Sequence, residues 1–387
     1  MRNAVVVDCV RTPIGRSHPE KGWFRTVRSD DLAVACVQSL LERTGIDPAE
    51  IDVVLLGSTN QTLEQGLNVA RNVGLMAGLP FESTGATVNR LCGSSLQALH
   101  QAVHAIMAGC EDVHIVGGLE HMHHLPVDHG IDLNPRMFQR TSKGALMMGV
   151  TAEFLSQTRG ISRQRQDEFA LRSHQRAAAA HQAGDFDKEI VPVYGQNESG
   201  DRFRVQTDQC VRPGSTLEAL AALSPAFMPV IGSVTAGNSS PLNDGAAAML
   251  VMSQEKATHL GLNAIAKVRS TAVAGVEPCV MGTGPVPATQ KALQRAGLKL
   301  SDVDVIELNE AFAAQVLACI AAFKDTEYCK TELGLRKALG ELDEHCLIVD
   351  GGAVALGHPV GTSGARIVLH LLHVLHERDA KRGVAAI

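Results

Sequence analysis

The sequence predicts an α/β protein made of two similar halves, with a loop-rich segment inserted between them. Residues 41–56 align with residues 293–308, and each copy has the pattern of a helix that ends at a glycine, a short acidic turn and a buried strand. Between the copies, residues 121–243 are rich in His, Arg, Gln and Asn. The chain of 387 residues is long enough for two or three domains.

The repeat and the inserted segment define the expected domains. Residues 162–183 read as one clear polar helix, and residues 196–200 as a glycine turn. If the two halves pack about a pseudo-twofold axis, the helix starts near Cys92 and Gly361 meet the strand end at Asn309 in one crevice. The expected divisions are an N-terminal half at 1–120, completed by about 244–268, a loop domain at 121–243, and a C-terminal half at 269–387.

Composition excludes several classes of protein. The net charge of −6 and the aromatic content of 3% give no reason to expect nucleic acid as a partner. Nine cysteines with no C-x-x-C pair argue against a disulfide framework or a zinc site, and favour a reducing cytoplasm. The apolar run at residues 4–7 stops at Asp8, which is too short for an export signal. The sequence has no uninterrupted run of about 18 apolar residues, so no membrane span is predicted.

Cys92 is the candidate nucleophile. It lies within residues 87–99, where an apolar strand-like segment gives way to a helix. Unpaired N–H groups and the positive end of the helix dipole favour a thiolate there. The simpler interpretation is a buried core cysteine, but Gly93, Ser94 and Ser95 allow a sharp turn and a helix cap, which favours chemistry.

His358 and Asn309 are the other two candidates for catalysis. His358 lies in a glycine-dense stretch at residues 350–366, and Pro359 keeps it out of the helical region, as suits a positioned general base. Asn309 follows an apolar strand and precedes a helix. An asparagine at such a junction is most often a helix cap.

Three further stretches have both a structural and a functional interpretation. Residues 120–124, with one Glu and three His, suggest a metal site, but adjacent side chains point in different directions, so no metal is expected. Met148 is either a core filler or a channel-lining residue. Ser240 lies in a segment of small residues and turn formers, whose default interpretation is a tight interdomain turn.

Three motifs, in this order along the chain, resemble the thiolase family: Val88-Asn-x-x-Cys92, Asn309-Glu-Ala-Phe312 and Gly357-His-Pro-x-Gly361. Residues 61–66 and 117–122 are similar to one branch, the β-subunits of bacterial fatty-acid oxidation complexes. The resemblance implies a five-layer α-β-α-β-α fold with a loop domain that covers coenzyme A. It also implies coenzyme A as cosubstrate, with no permanently bound cofactor.

The resemblance also implies roles for the candidate residues. His358 would take a proton from Cys92, whose thiolate attacks the C3 carbonyl of a 3-ketoacyl-CoA, while Asn309 holds a water in an oxyanion site. Met148 would border the acyl and pantetheine channel, and Ser240 would bond the pantetheine amide. The implied partners are a second copy of the chain and a hydratase/3-hydroxyacyl-CoA dehydrogenase α-subunit in an α2β2 complex.

The sequence departs from the family pattern in two places. Thiolases carry a second catalytic cysteine in a Cys-x-Gly-x-Gly strand, which would fall at position 388, directly after Ile387. Asp350 stands where the family more often has Asn. Two interpretations follow: an acyltransferase of fatty-acid β-oxidation whose chain continues past Ile387, or an acyl-CoA-binding and assembly subunit of low activity. A decarboxylating condensing enzyme is disfavoured, because such enzymes usually show two histidines or a His-Asn pair.

Overall fold

The computed structural model of the protein describes residues 2–387. The strands are β1 Ala4–Arg11, β2 Gly15–Arg16, β3 Val53–Gly57, β4 Thr84–Val88, β5 Val113–His121, β6 Val193–Gln196, β7 Arg202–Val205, β8 Asn243–Ser253, β9 Ala266–Lys267, β10 Val305–Leu308 and β11 Gly383–Ala386. The α-helices are α1 Ser29–Thr44, α2 Val69–Met76, α3 Ser94–Ala108, α4 Met148–Thr158, α5 Arg163–Ala183, α6 Leu217–Ala221, α7 Gln254–His259, α8 Pro285–Ala296, α9 Ala313–Lys324, α10 Thr326–Thr331, α11 Ala353–Leu356 and α12 Val360–Glu377. Within the described range, no helix has the length and apolarity needed to span a membrane.

Two sheets lie at the centre of the molecule. The larger has the strand order β4-β3-β5-β8-β1-β9, with β2 paired to β8. In it β3 is parallel to β4 and β5, whereas β8 returns from the inserted segment to run antiparallel to β5 and β1. The smaller pairs β10 with β11 in parallel, and Ile306 of β10 makes an isolated bridge with Leu347. The strands β6 and β7 form a separate hairpin.

Helices cover both faces of both sheets, because strand side chains alternate between faces. On the large sheet, Leu56 packs in the core beneath α1 and α2, while Leu55 packs with α3 and α12. On the small sheet, Val305 faces α12 and Ile306 faces α8 and α9. The order is therefore helix, sheet, helix, sheet, helix. This confirms the predicted five-layer fold.

The predicted internal repeat is present in the structure. The helices α1 and α8 both end at a glycine in the left-handed region, Gly45 at φ 64° and Gly297 at φ 69°. After each glycine comes one short 3₁₀ turn, and then β3 or β10. The predicted polar helix is also present as α5, where the Ser162 side chain accepts a hydrogen bond from the backbone N–H of Arg165 at 3.3 Å.

A row of alternating charges is buried between β1, the inserted segment and α12. The Arg11 guanidinium contacts Glu189 at 2.6 Å and Asp208 at 2.7 Å. His370 on α12 places Nδ1 3.1 Å from the second Glu189 oxygen, and Nε2 3.2 Å from Asp350 Oδ2. The row therefore joins the C-terminal half of the chain to β1 through Glu189 of the inserted segment, while Asp208 of the same segment also binds Arg11.

We expect this row to make the protein less stable as the pH rises above neutral. Burial alone lowers the pKa of His370, but the Glu189 and Asp350 carboxylates outweigh it and raise the pKa to about 10. Because the folded pKa lies above the unfolded value, the stabilisation is complete below about pH 6.5 and is lost as the pH approaches 10. The free energy of unfolding should fall by up to about 1.4 kcal/mol per pH unit in this window.

Urea titrations at pH 7, 8 and 9 measure this dependence. A His370→Gln variant should show a smaller slope with pH, since it lacks the titrating group. Equal slopes for the two proteins would show that His370 carries no charge in the folded state.

Candidate active site

Cys92 lies in a tight turn between the end of β4 and the start of α3. Leu91 adopts φ 47°, a conformation that is uncommon for a leucine. Two side chains hold this turn: Asn89 Oδ1 accepts from Leu91 N at 2.9 Å, and Ser94 Oγ accepts from Arg90 N at 2.8 Å. The predicted placement of Cys92 just before a helix is therefore correct, since α3 begins at Ser94.

The electrostatic effect on Cys92 is opposite to the one that its position predicts. All nine cysteines are free, and the Cys92 side chain is half-buried. Burial is the main reason that the pKa of its thiol is raised to about 11; the backbone N–H of Cys92 offsets part of this rise, and the Glu120 carboxylate adds to it. The thiol is therefore protonated at neutral pH, and its use as a nucleophile requires a base.

His358 is held as such a base. It lies between α11 and α12, where Gly357 has φ 114° and its backbone passes so close to Asn243 that a Cβ would lie 2.6 Å from that side chain. Asn243 Oδ1 accepts from the His358 backbone N–H at 2.8 Å. Because Asn243 begins β8, the large sheet fixes the position of the His358 backbone.

The hydrogen bonds of His358 also set its tautomer. Ser363 Oγ lies 3.0 Å from the carbonyl oxygen of Pro359, to which it must donate its single proton. It therefore accepts from His358 Nδ1–H at 2.6 Å, which leaves a lone pair on Nε2. That Nε2 is buried and has no hydrogen-bond partner among residues 2–387. Burial, helped by the Arg366 charge, lowers the pKa of His358 to about 3, so the ring is neutral.

The starts of α3 and α12 are packed directly against each other. Ser95 Oγ accepts from the backbone N–H of Ala365 at 2.8 Å. A Cβ at Gly364 would lie 2.6 Å from Leu96 N, so no larger residue fits there. This contact brings the segment with Cys92 next to the segment with His358, and it confirms the expected meeting of the two helix starts.

Glu120, at the end of β5, holds the start of α12 in place through hydrogen bonds. One of its oxygens accepts from Gly361 N at 3.0 Å and from Thr59 N at 2.9 Å. The other accepts from Gln65 Nε2 at 2.7 Å. The Glu120 carboxylate is therefore fully used in holding the start of α12.

Asn309 directly follows β10, as predicted. Its backbone N–H donates to the carbonyl oxygen of Ala386 on β11 at 3.0 Å. Its side-chain amide is buried, and neither Nδ2 nor Oδ1 has a hydrogen-bond partner within residues 2–387. Buried amides are nearly always bonded, so this group is available to a bound molecule.

Cys92 and Asn309 lie on the wall of one cavity of about 470 Å³. Met148 and Phe312 also line it, and so does Ile387 at the end of β11. His358 is buried outside this wall. Ser240 is not on the wall either, but its backbone N–H donates to the carbonyl oxygen of Ala311, which lines the cavity.

The histidines after Glu120 have structural roles. His121 Nε2 lies 3.0 Å from the Phe24 carbonyl oxygen, and its ring stacks on His124 with centroids 3.7 Å apart. His124 in turn lies 3.1 Å from the Glu64 carboxylate. Within residues 2–387, no group of three or more His, Cys, Asp or Glu side chains is arranged to hold a metal ion.

The sequence interpretation missed Asn243, Ser363 and Glu120 as supports of the site. Ser363 follows His358 by five residues across a helix start, which is a local signal. Asn243 is 115 residues distant in sequence from His358, and Glu120 is 241 residues distant from Gly361. Only the folded chain identifies them.

The comparisons with known proteins agree with this fold. Residues 4–255 match the model of the thiolase N-terminal domain, and residues 262–387 match that of the thiolase C-terminal domain. The chain belongs to the thiolase family. A 3-ketoacyl-CoA thiolase of Aeromonas hydrophila is 52% identical, with the alignment covering 100% of this chain and 96% of that protein. The corresponding enzyme of Shewanella frigidimarina is 51% identical over the same shares of both chains.

Solved structures show the same relationship. The acetyl-CoA acetyltransferase of Bacillus anthracis superposes with a TM-score of 0.85 at 37% identity, over 100% of this chain and 96% of that one. Human mitochondrial 3-ketoacyl-CoA thiolase in complex with CoA gives 0.85 at 35% identity, over 100% and 95%. These relatives support the acyltransferase interpretation of the sequence, and not the assembly-subunit alternative.

Proposed function

We propose that the protein is a 3-ketoacyl-CoA thiolase of fatty-acid β-oxidation. It cleaves a 3-ketoacyl-CoA with coenzyme A, yielding acetyl-CoA and an acyl-CoA that is two carbons shorter. The observation that carries the proposal is the state of His358: a neutral ring with a free lone pair on Nε2, held next to the turn that carries a protonated Cys92. That pair matches a nucleophile with its general base.

The first half of the reaction forms an acyl-enzyme. His358 Nε2 takes the thiol proton as Cys92 Sγ bonds to C3 of the substrate. The negative charge on the former carbonyl oxygen is stabilised by His358, now protonated, and by a water held at the Asn309 amide. The C2–C3 bond then breaks, so that the acyl group stays on Cys92 and the acetyl-CoA enolate leaves with the thiol proton that His358 had accepted.

The second half returns the enzyme to its starting state. The thiol of free coenzyme A attacks the acyl-Cys92 thioester, and the backbone N–H of Cys92 contributes to the oxyanion site. The new C–S bond forms as the old one breaks, and His358 passes the proton of the coenzyme A thiol to the Cys92 thiolate. Exchange of one thioester for another has little driving force in either direction, which suits sulfur as the nucleophile.

Coenzyme A is the proposed cosubstrate, covered by residues 121–243. Met148, at the start of α4 on the cavity wall, would border its pantetheine arm. Ser240 would bond the pantetheine amide, since its neighbour Ala311 lies on the same wall. The proposed halves on either side are residues 1–120 with about 244–268, and residues 269–387.

A thiolysis assay tests the proposed function. Purified protein is mixed with coenzyme A and acetoacetyl-CoA, or with a longer 3-ketoacyl-CoA, and acetyl-CoA formation is followed. We expect cleavage that depends on coenzyme A, and an acyl adduct on Cys92 when coenzyme A is omitted. Absence of both cleavage and adduct for every substrate would overturn the proposal.

We also propose that the protein is a homodimer that pairs through β4. This strand is the edge of the large sheet, and within residues 2–387 β3 is the one strand that pairs with it. On its outer side, the Gly85 carbonyl oxygen accepts from Asn68 Nδ2 at 2.9 Å, but no second strand pairs with it there. Large apolar side chains are exposed around it: Leu67 is 95% exposed, Phe81 85% and Leu91 65%. Unpaired edges next to apolar surface are unfavourable in water and are commonly covered.

Sedimentation equilibrium should therefore give twice the mass of one chain. The double variant Leu67→Asp/Phe81→Asp should sediment as a monomer at micromolar concentration, because two charges would be buried in the interface. Ile265→Asp is the matched control, since Ile265 is also exposed but precedes β9 at the opposite edge of the sheet. A monomeric wild type, or dissociation by the control alone, would contradict the proposed interface.

The resemblance to oxidation-complex β-subunits supports a second proposed partner. A hydratase/3-hydroxyacyl-CoA dehydrogenase α-subunit produces 3-ketoacyl-CoA, the substrate proposed here, and an α2β2 complex would join the two activities in the cytoplasm. Co-purification of the two chains after joint expression tests this association.

A further inference from the structure

Glu310, next to Asn309, is buried and does not line the cavity. Its Oε2 accepts two hydrogen bonds, from Ser173 Oγ at 2.7 Å and from the backbone N–H of Val354 at 3.1 Å. Val354 belongs to α11, which leads directly into His358. One carboxylate oxygen therefore joins the end of the strand that carries Asn309 to the segment that carries His358.

Ser173 adds a third element to this contact. It lies on α5 in the inserted segment, and its Oγ also accepts from Gly352 N at 3.2 Å. The backbone before α11 is pressed closely against both groups. A Cβ at Gly352 would lie 2.5 Å from Glu310 Cδ, and a Cβ at Gly351 would lie 2.4 Å from the Ser173 carbonyl oxygen.

We propose that Glu310 and Ser173 are positioning residues that fix Asn309 and His358 relative to each other. The inference rests on the proposed function, in which His358 and Asn309 act on the same oxygen of the substrate. Neither Glu310 nor Ser173 lines the cavity, so each acts through the backbone that it holds.

The physical reason is that a single carboxylate oxygen accepts both hydrogen bonds. Without it, the Ser173 hydroxyl and the Val354 N–H lose their partner in the interior, which is unfavourable for each group. The segment 351–357 can then shift to recover hydrogen bonds, and His358 is left held on one side only, by its contact with Asn243. A misplacement of about 1 Å in a catalytic group can lower a rate by about 10²-fold.

The test compares four variants by kcat and by KM for coenzyme A. Glu310→Ala should lower kcat by about 10²-fold and Ser173→Ala by about 10-fold, with KM changed less than about twofold, because the shift affects catalytic geometry. The double variant should be slower than Glu310→Ala by clearly less than the factor that Ser173→Ala causes alone, since both substitutions break the Ser173–Glu310 contact. Glu310→Gln keeps an acceptor oxygen at the same position and should restore kcat to within about fivefold of wild type.

Asp52→Asn is the matched control. Asp52 Oδ2 also accepts two backbone N–H groups, at 2.9 and 2.8 Å, but at the start of β5, whereas the site lies at the end of that strand. It should leave kcat unchanged. The inference would be overturned by an unchanged kcat, or an effect on KM alone, in folded Ser173→Ala and Glu310→Ala. It would also be overturned if the two losses of kcat multiply in the double variant, or if Glu310→Gln does not recover kcat. If Glu310→Ala does not fold, Ser173→Ala and Glu310→Gln decide by the same criteria.

A second measurement separates this inference from the proposed function. The alkylation rate of Cys92 by iodoacetamide needs no coenzyme A and depends on proton removal by His358. It should be slower in Glu310→Ala and Ser173→Ala than in the wild type and in Asp52→Asn. If the wild type shows no thiolysis, the proposed function is wrong, whereas equal alkylation rates in all four proteins would reject the positioning role itself.

Discussion

Replacing Cys92 with serine is expected to lower thiolysis by on the order of 10⁴-fold to 10⁶-fold, as removal of a covalent nucleophile does in other enzymes. A serine hydroxyl has nearly the same size, so the turn at Leu91 and the start of α3 should be retained. Its proton is far harder to remove than that of a thiol, and the neutral His358 cannot generate enough alkoxide. The variant should bind substrate but form no acyl adduct, as intact mass would show.

Cys110→Ser is the matched control, because Cys110 is exposed just beyond the opposite end of α3. It should keep full activity. In the wild type, a limiting amount of iodoacetamide should label Cys92 before the exposed Cys110, even though burial raises the pKa of the Cys92 thiol. Faster labelling of Cys110, with no protection of Cys92 by acyl-CoA, would contradict the assignment of the nucleophile.

The features of the fold that were predictable are those encoded over short stretches of chain. Gly45 and Gly297 end helices because glycine adopts positive φ without strain, so the repeat was recognisable from the amino-acid sequence alone. The turns next to Cys92 and Asn309 were recognisable for a different reason, because the hydrophobic pattern of each strand stops there. Five layers did not follow from the pattern and were implied by the family resemblance.

The charge state of the site was not predictable from the sequence. The helix start at Ser94 favours a thiolate at Cys92, but desolvation by the surrounding layers is larger and has the opposite sign. How completely a thiol is buried depends on which elements pack over it, and the sequence does not state this. The same limit applies to Asn243, whose contact with His358 spans 115 positions.

The change in interpretation of Cys92 gives His358 a larger role. A cysteine that is already a thiolate before the substrate binds needs no base for its attack. A thiol with a pKa of about 11 becomes a nucleophile only when a base removes its proton. The lone pair on His358 Nε2 is the buried acceptor prepared for this step. Loss of the base should therefore lower the rate of thiolysis less than loss of the nucleophile does, since a cysteine without its base can still react slowly.

His358→Gln is expected to lower thiolysis by about 10²-fold to 10⁴-fold, the usual contribution of a positioned general base. Because burial lowers the pKa of His358 to about 3, the ring stays unprotonated from pH 5 to 9, and the wild-type alkylation rate of Cys92 should show no loss on the acid side from this group. In the variant the thiolate forms only by dissociation to solvent, so the rate should rise about tenfold per pH unit below the pKa of the thiol. His114→Gln is the matched control, since His114 is also buried with a pKa lowered to about 4, but lies at the far end of β5. A flat alkylation profile in His358→Gln, or a steep one in the wild type, would mean that Cys92 is activated by some group other than His358.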